Sequence, residues 1–573
     1  MSVRVYMENS LLKISRIGIP LLLIGTLFLS SDFFIDREIN PKIYVFVVLS
    51  YVFGICLLLL YRRKLMISSW GITVILFILY INVDSMFTAS CRLTTLCLWG
   101  FGVLLLFFTH VPISKNTDRI IVLLCVLQSV YGLLQYWNLI RNTTIYPVTG
   151  SFDNPAGFSA CLSTAFPLIF LLLQNNKLYK LSGIVSGVII GTAIVVSESR
   201  AGIICLTISL FIYAYTRLFP KIGKLRWLLF LCLLIVGAAL FIHLYTLKKD
   251  SATGRILIWR VTTDMIADKP ILGGRSGFFH ANYMQYQARF FERNSCSRYG
   301  LLADNINHPF NEYLYLIVEY GLIAFILFIV QVVVLVRQYH ASLPYTLCLL
   351  SLGLFALFSY PLKYPFTWVI AAYCLAHFVR KKSNKTVFSI ARFKGLKIVG
   401  AVFLSIGLLR VIQDIRFEYE WMRVTQVEYS APTSEILRQY GNLYDRWSGN
   451  YHFLYSYAAL LSRKGEYEKS NEILTECQRY FDDCDVQTIV AENHYHLGNW
   501  IQAESHYLTA AHMCPNRFFP LYGLYKIYIV LNERNKALEI ADRILVKKVK
   551  IPSQTVQHIV EEMREYVRKE SCK

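Results

Sequence analysis

The chain has 573 residues, 55% of them hydrophobic and only 17% charged, with a net charge of +21 and a mean hydropathy of +0.44. Its apolar residues fall in continuous runs of roughly 18–22, the length of a bilayer-crossing helix, which excludes a soluble enzyme and also a membrane β-barrel, whose strands alternate. The basic surplus does not indicate a nucleic-acid binder either, because Lys and Arg sit at the ends of the apolar runs, as in the inner loops of membrane proteins.

About thirteen runs have spanning length. They centre near Leu23, Val52, Leu76, Val103, Val126, Pro167, Ile189, Leu206, Ile235, Ile326, Leu352, Ala371 and Phe403. The first has no small-residue cleavage site behind it and reads as a retained helix. With the N-terminus cytoplasmic, the inner loops hold Arg62-Arg63-Lys64, the stretch with Arg217, Lys221, Lys224 and Arg226, and the segment from Arg380 to Lys397. The outer loops carry far fewer basic residues, such as Arg92 and Lys363, so the excess of positive charge lies consistently on one side. This predicts an all-α fold: a polytopic helical membrane bundle over residues 1–413 with a large periplasmic loop at 247–312. A periplasmic helical tail follows at 414–573.

Three segments on the predicted outer side carry residue types suited to chemistry. Thr149-Gly150-Ser151-Phe152-Asp153-Asn154-Pro155 forms a turn into the sixth run, where free backbone N–H groups favour anions; an ordinary helix entry reads equally well. Ser199-Arg200-Ala201-Gly202 joins two runs with almost no loop, which holds Arg200 at the membrane surface, either as a functional guanidinium or as a lipid anchor. In the large loop, Gly254-Arg255 opens an amphipathic helix with Arg255 and Trp259 four apart on one face, followed by Arg260. Pro270-Ile271-Leu272-Gly273-Gly274 ends it. His308-Pro309-Phe310-Asn311-Glu312 then leads into the tenth run. Arg offers forked donors that match phosphate, and an imidazole near neutral pKa suits removal of a proton from an attacking hydroxyl.

The tail shows a period near 34 between about Tyr451 and Lys548. Lys464-Gly465-Glu466-Tyr467, Leu497-Gly498-Asn499-Trp500 and Asn532-Glu533-Arg534 recur at equivalent places, with Ala503, Ala510, Ala537 and Ala541 where helices of a hairpin cross. This resembles tetratricopeptide repeats and predicts either a protein-binding surface or a stabilising appendage. The 14 cysteines are scattered without metal-ligand spacing. Most read as small buried apolar residues, and pairing among Cys477, Cys484 and Cys514 is left open.

These motifs in this order resemble the O-antigen ligase superfamily over roughly residues 140 to 335. It includes lipopolysaccharide O-antigen ligases, some glycan polymerases and bacterial protein O-oligosaccharyltransferases. The resemblance rests on the Gly150–Pro155 turn, the Ser199-Arg200 pair, the Gly254-Arg255…Trp259 helix with its Pro-Ile-Leu-Gly end, and His308…Asn311-Glu312…Glu319-Tyr320-Gly321. A tetratricopeptide tail also occurs in members from Bacteroidota. The resemblance implies a glycosyltransferase fold of the C type in the bacterial inner membrane and an inverting transfer that needs no metal or cofactor. The donor would be an undecaprenyl-pyrophosphate-linked glycan, and the acceptor lipid A core or protein. By position, Arg200 and Arg255 would bind the pyrophosphate and His308 would activate the acceptor hydroxyl, with Asn154, Trp259, Arg260, Asn311 and Glu312 at the substrate. Many relatives place the histidine directly before the asparagine. Here Phe310 fills that place, which makes Glu312 the alternative base. A glycan polymerase with the same donor chemistry is the second reading, and a non-enzymatic scaffold whose tail recruits partners is the third.

Overall fold

The computed structural model describes residues 2–61, 65–85, 92–114, 116–142, 144–174, 176–217, 249–295, 297–338, 342–380, 386–390, 394–427 and 433–571. In chain order the membrane part holds α1 (Ser2–Phe28), α2 (Asn40–Leu60), β1 (Leu65–Ser68), α3 (Ser69–Ser85), α4 (Arg92–His110) and α5 (Thr117–Tyr136). Next come α6 (Pro155–Ala165) and α7 (Ile169–Leu172) with a 3-10 turn between them, α8 (Lys177–Val196) and α9 (Arg200–Arg217). The large loop contributes α10 (Lys249–Asp268) and α11 (Phe278–Arg293); α12 (Glu312–Gln338), α13 (Leu343–Phe358), α14 (Pro365–Arg380), β2 (Thr386–Ile390) and α15 (Lys394–Val427) complete the bundle.

Eleven of the thirteen expected run centres lie in these helices and Pro167 lies in the 3-10 turn between α6 and α7; the one near Ile235 lies outside the described residues. Seven helices among the described residues are long and apolar enough to cross a membrane. The fold is all-α except for one ribbon. α6 is the innermost helix, and Gly157 and Gly202 allow it to approach Tyr364 and α9 closely. Pro167 lacks an N–H, so the run breaks into the 3-10 turn Phe166–Leu168 before resuming as α7.

Contacts far apart in sequence define the two ends of the bundle. At one end β1 pairs antiparallel with β2, Leu65 opposite Ile390. His110 Nε2 accepts from the Met66 N–H at 3.0 Å, and Lys397 Nζ donates to the Tyr61 carbonyl at 2.8 Å. At the other end Glu418, on α15, accepts from Ile35 N, Asn40 Nδ2 and Tyr44 Oη at 2.6–2.8 Å. Tyr61, Arg380 and Lys397, which flank the predicted basic loops, therefore share the ribbon end; Arg62-Arg63-Lys64 and residues 381–385 and 391–393 lie outside the described residues. The large loop lies at the opposite end.

One helix is built from two pieces. Within α12, Gly321 has φ 74° and ψ −178°, which breaks the helix. The freed backbone groups bond to the Pro270–Arg275 segment: Gly274 N–H donates to Val318 O at 2.9 Å, Arg275 N–H to Glu319 O at 2.8 Å, and Leu322 N–H to Pro270 O at 2.9 Å. Gly273 is also left-handed, at φ 72°. A Cβ on Gly321 would stand 2.0 Å from the Ile271 carbonyl oxygen, so only glycine permits this crossing. Glu319 folds back to accept from Gly277 N and Phe279 N, seating the start of α11.

The tail holds α16 (Thr433–Trp447), then three hairpins: α17 (Tyr451–Lys464) with α18 (Tyr467–Gln478), α19 (Cys484–His496) with α20 (Trp500–Met513), and α21 (Phe519–Val530) with α22 (Arg534–Val546). α23 (Gln554–Ser571) closes the chain. Left-handed residues Gly465, Gly498 and Asn532 turn the three hairpins at equivalent places. The tail docks on the large loop. Tyr283 and Phe291 share a core with Cys484, Ala510 and Met513, Gln287 Nε2 donates to the Met513 carbonyl at 2.7 Å, and Arg517 pairs with Asp304 and Asp485.

Candidate active site

The site lies at the end of the bundle opposite the ribbon, where α9, α10, the start of α12 and the loop after α13 meet. α8 ends at Val196 and α9 begins at Arg200, with Glu198 left-handed between them. This tight junction presents Arg200 to α10, where its Nη2 donates to Ser251 Oγ at 2.9 Å. One turn further along α10, Arg255 Nη1 donates to the Phe358 carbonyl at 2.5 Å, and its guanidinium lies 5.2 Å from the Phe310 ring centroid. No carboxylate among the described residues pairs with Arg255. Burial, and then the nearby Arg200 charge, pull its pKa down to about 10; it stays cationic at neutral pH, against the Phe358 carbonyl and the Phe310 ring face. A crowded guanidinium beside a second one and without a counter-ion is a standing demand for an anion.

His308 lies in the segment before α12 rather than on the helix, because Phe310 is left-handed at φ 54°. The Phe310 N–H donates to His308 Nδ1 at 2.9 Å. Neutral His308 thus carries its proton on Nε2, which faces Glu312 Oε2 at 3.6 Å. Glu312 Oε1 accepts from Leu362 N–H at 3.1 Å. Two tyrosine rings flank the imidazole, Tyr315 at 4.9 Å and Tyr360 at 5.1 Å between centroids. Phe310 connects the two halves of the site: its ring covers Arg255 and its amide fixes His308.

The other predicted residues hold this arrangement together rather than point into it. Trp259, one turn after Arg255, donates from Nε1 to the Pro309 carbonyl at 2.9 Å. Asn311 Oδ1 caps α12 by accepting from Tyr313 N and Leu314 N, both at 3.0 Å; it does not share a helix face with His308. Asn154 caps α6 through Gly157 N at 2.9 Å, and its Nδ2 donates to Tyr360 Oη at 3.2 Å and Tyr364 Oη at 3.0 Å. Lys363 pairs with Asp153 at 2.9 Å beside it. The turn before α6 is therefore a strut with its own carboxylate, not the anion cradle its composition suggested. Arg260 is exposed, over the Phe290 ring at 5.4 Å, and faces away from the other two arginines.

Sequence reasoning missed Tyr360, which links Asn154 to His308, and Tyr315. An aromatic-rich loop, Tyr360-Pro361-Leu362-Lys363-Tyr364, was the available signal, though only its lysine was used.

Residues 185–329 match the family model described as O-antigen ligase. In this segment the chain is similar to the O-antigen ligase family. The match takes in Arg200, Arg255, Trp259, Arg260, His308, Asn311 and Glu312, and begins after Asn154. A comparison with curated proteins gives no match. The apolar helices and this match together support a multi-pass membrane protein similar to glycosyltransferases of the O-antigen ligase type.

Proposed function

We propose that this O-antigen ligase relative transfers a glycan from an undecaprenyl-pyrophosphate donor to an acceptor hydroxyl at the periplasmic face of the inner membrane. The observation that carries the proposal is the half-buried Arg255 guanidinium, which has Arg200 beside it and no acidic partner among the described residues. A diphosphate supplies the missing charge and leaves as the anion when the bond from the sugar's C1 to its oxygen breaks. The acceptor oxygen forms the new bond to C1 from the opposite face, which inverts the configuration. Neither arginine has to lose a proton, so stabilisation of the leaving group needs no metal.

The acceptor hydroxyl gives its proton to the His308–Glu312 pair. With Nδ1 held by the Phe310 amide and a proton already on Nε2, His308 has no free lone pair in this arrangement. That favours Glu312 as proton acceptor, with His308 steering the carboxylate and the hydroxyl. The N-terminus would be cytoplasmic and the tail, read as tetratricopeptide repeats, periplasmic, which suits a lipid A core or protein acceptor. A polymerase would use the same donor chemistry.

Purified protein with its host's lipid-linked glycan tests the reading. His308→Ala and Glu312→Gln should each lower transfer by about 100-fold or more while leaving membrane levels intact. A normal rate in both would refute the assignment. In a deletion strain, loss of all attached glycan with lipid-linked chains accumulating marks a ligase or oligosaccharyltransferase. Single attached units without long chains mark a polymerase.

A further inference from the structure

A train of rings leads from the candidate site into the tail. His308 is 4.9 Å from Tyr315, and Tyr315 is 6.4 Å from His280 on α11. His280 in turn lies 6.4 Å from Tyr451 at an interplanar angle of 25°, and Tyr451 lies 4.1 Å from His452. Tyr451 and His452 open α17, so the first tail hairpin reaches within three ring contacts of His308. The tail is thereby part of the wall of the site and not a remote appendage.

Two features mark this wall as a binding surface rather than packing. The Nδ1 of His280 is buried without a hydrogen-bond partner among the described residues, a cost that a packed interface avoids and a polar ligand removes. His452 stays exposed although α17 is docked. The chemistry also selects the ligand class. Burial, and then His308 and His452 nearby, hold His280 down to about 4. Its imidazole is neutral at working pH and exchanges hydrogen bonds with hydroxyls instead of attracting an anion. Nor do three His, Cys, Asp or Glu side chains among the described residues come together as metal ligands. Flat aromatic faces beside neutral donors and acceptors suit a pyranose, which has an apolar C–H face and a rim of hydroxyls.

We propose that Tyr315, His280, Tyr451 and His452 form a sugar-binding subsite, shared between the large loop and the tail, that holds a pyranose ring next to the reacting centre. It rests on the proposed glycan transfer. The ring belongs to the donor glycan or to a carbohydrate acceptor.

The test uses full-length protein in nanodiscs and three probes: the host's donor glycan freed from its carrier by mild acid, the core oligosaccharide freed from lipopolysaccharide in the same way, and undecaprenyl pyrophosphate without sugar. Tyr451→Ala and His280→Phe should weaken binding of at least one sugar probe roughly tenfold, and Tyr451→Phe should retain it. The sugar that loses affinity identifies the source of the ring. Undecaprenyl pyrophosphate should bind all these variants as it binds the wild type, which also shows that they fold. Sugar binding unchanged in both Tyr451→Ala and His280→Phe, or absent from the wild type, overturns the subsite. Failure of undecaprenyl pyrophosphate to bind the wild type instead overturns the diphosphate site.

Discussion

At the scale of single residues, the site separates groups that answer to a ligand from groups that hold others in place. In the proposed reaction Arg200, Arg255, His308 and Glu312 are of the first kind, while Asn154, Trp259 and Asn311 bond to neighbouring backbone and side chains. Their types and order were legible in the sequence because each sits in a short motif beside a predicted membrane end. Their division of labour was not, since a capping asparagine and a ligand-binding one look the same in a string of letters. His280 gives a pH prediction with a definite sign. Its folded pKa of about 4 lies below the ordinary 6.5, so the unfolded chain takes up a proton first as the pH falls. Stability from this group is full above about 6.5 and is lost progressively toward about 4, at most about 3 kcal/mol. Asp483, which burial raises to about 6, acts in the opposite direction over part of that window. The difference between wild type and His280→Phe therefore isolates the imidazole. Melting temperatures at pH 7 and pH 5 should show a smaller acid-induced drop in the variant; an equal drop excludes the effect.

At the scale of elements, helix existence was readable from apolar run length, and eleven predicted centres fall in α-helices. The β1–β2 ribbon was not, because its strands are short and lie more than 300 residues apart. Nor was the break in α12. Glu319-Tyr320-Gly321 and Pro270-Ile271-Leu272-Gly273 were noted as separate motifs, yet they are one crossing, in which each supplies the backbone partners of the other. Gly321→Ala places a Cβ against the Ile271 carbonyl at a left-handed φ. The conformation alone costs about 1–3 kcal/mol, with the clash added. The variant should melt lower and lose transfer as α10 and His308 shift together, and unchanged thermal stability would show that the crossing is not needed.

At the scale of the whole molecule, the bundle, the large loop and the tail act together. Asn305 ties the last two: it donates to Asp483 at 2.7 Å and Asp485 at 2.8 Å, and its Oδ1 accepts from Cys484 N. The repeat period announced the hairpins, but no local signal announced their docking partner, because that surface exists only after α10 and α11 have packed. Asn305→Ala should weaken the dock by about 1–3 kcal/mol, read as faster amide exchange in α19 and α11; equal exchange would show that the apolar core alone holds it. Above all, the account requires that two arginines far apart in sequence grip one diphosphate. The most direct measurement is the affinity of the purified protein for undecaprenyl pyrophosphate, with Arg255→Ala and Arg255→Lys as variants. A loss of roughly 100-fold in Arg255→Ala, partly restored by lysine, is predicted. Wild-type affinity in Arg255→Ala would contradict it.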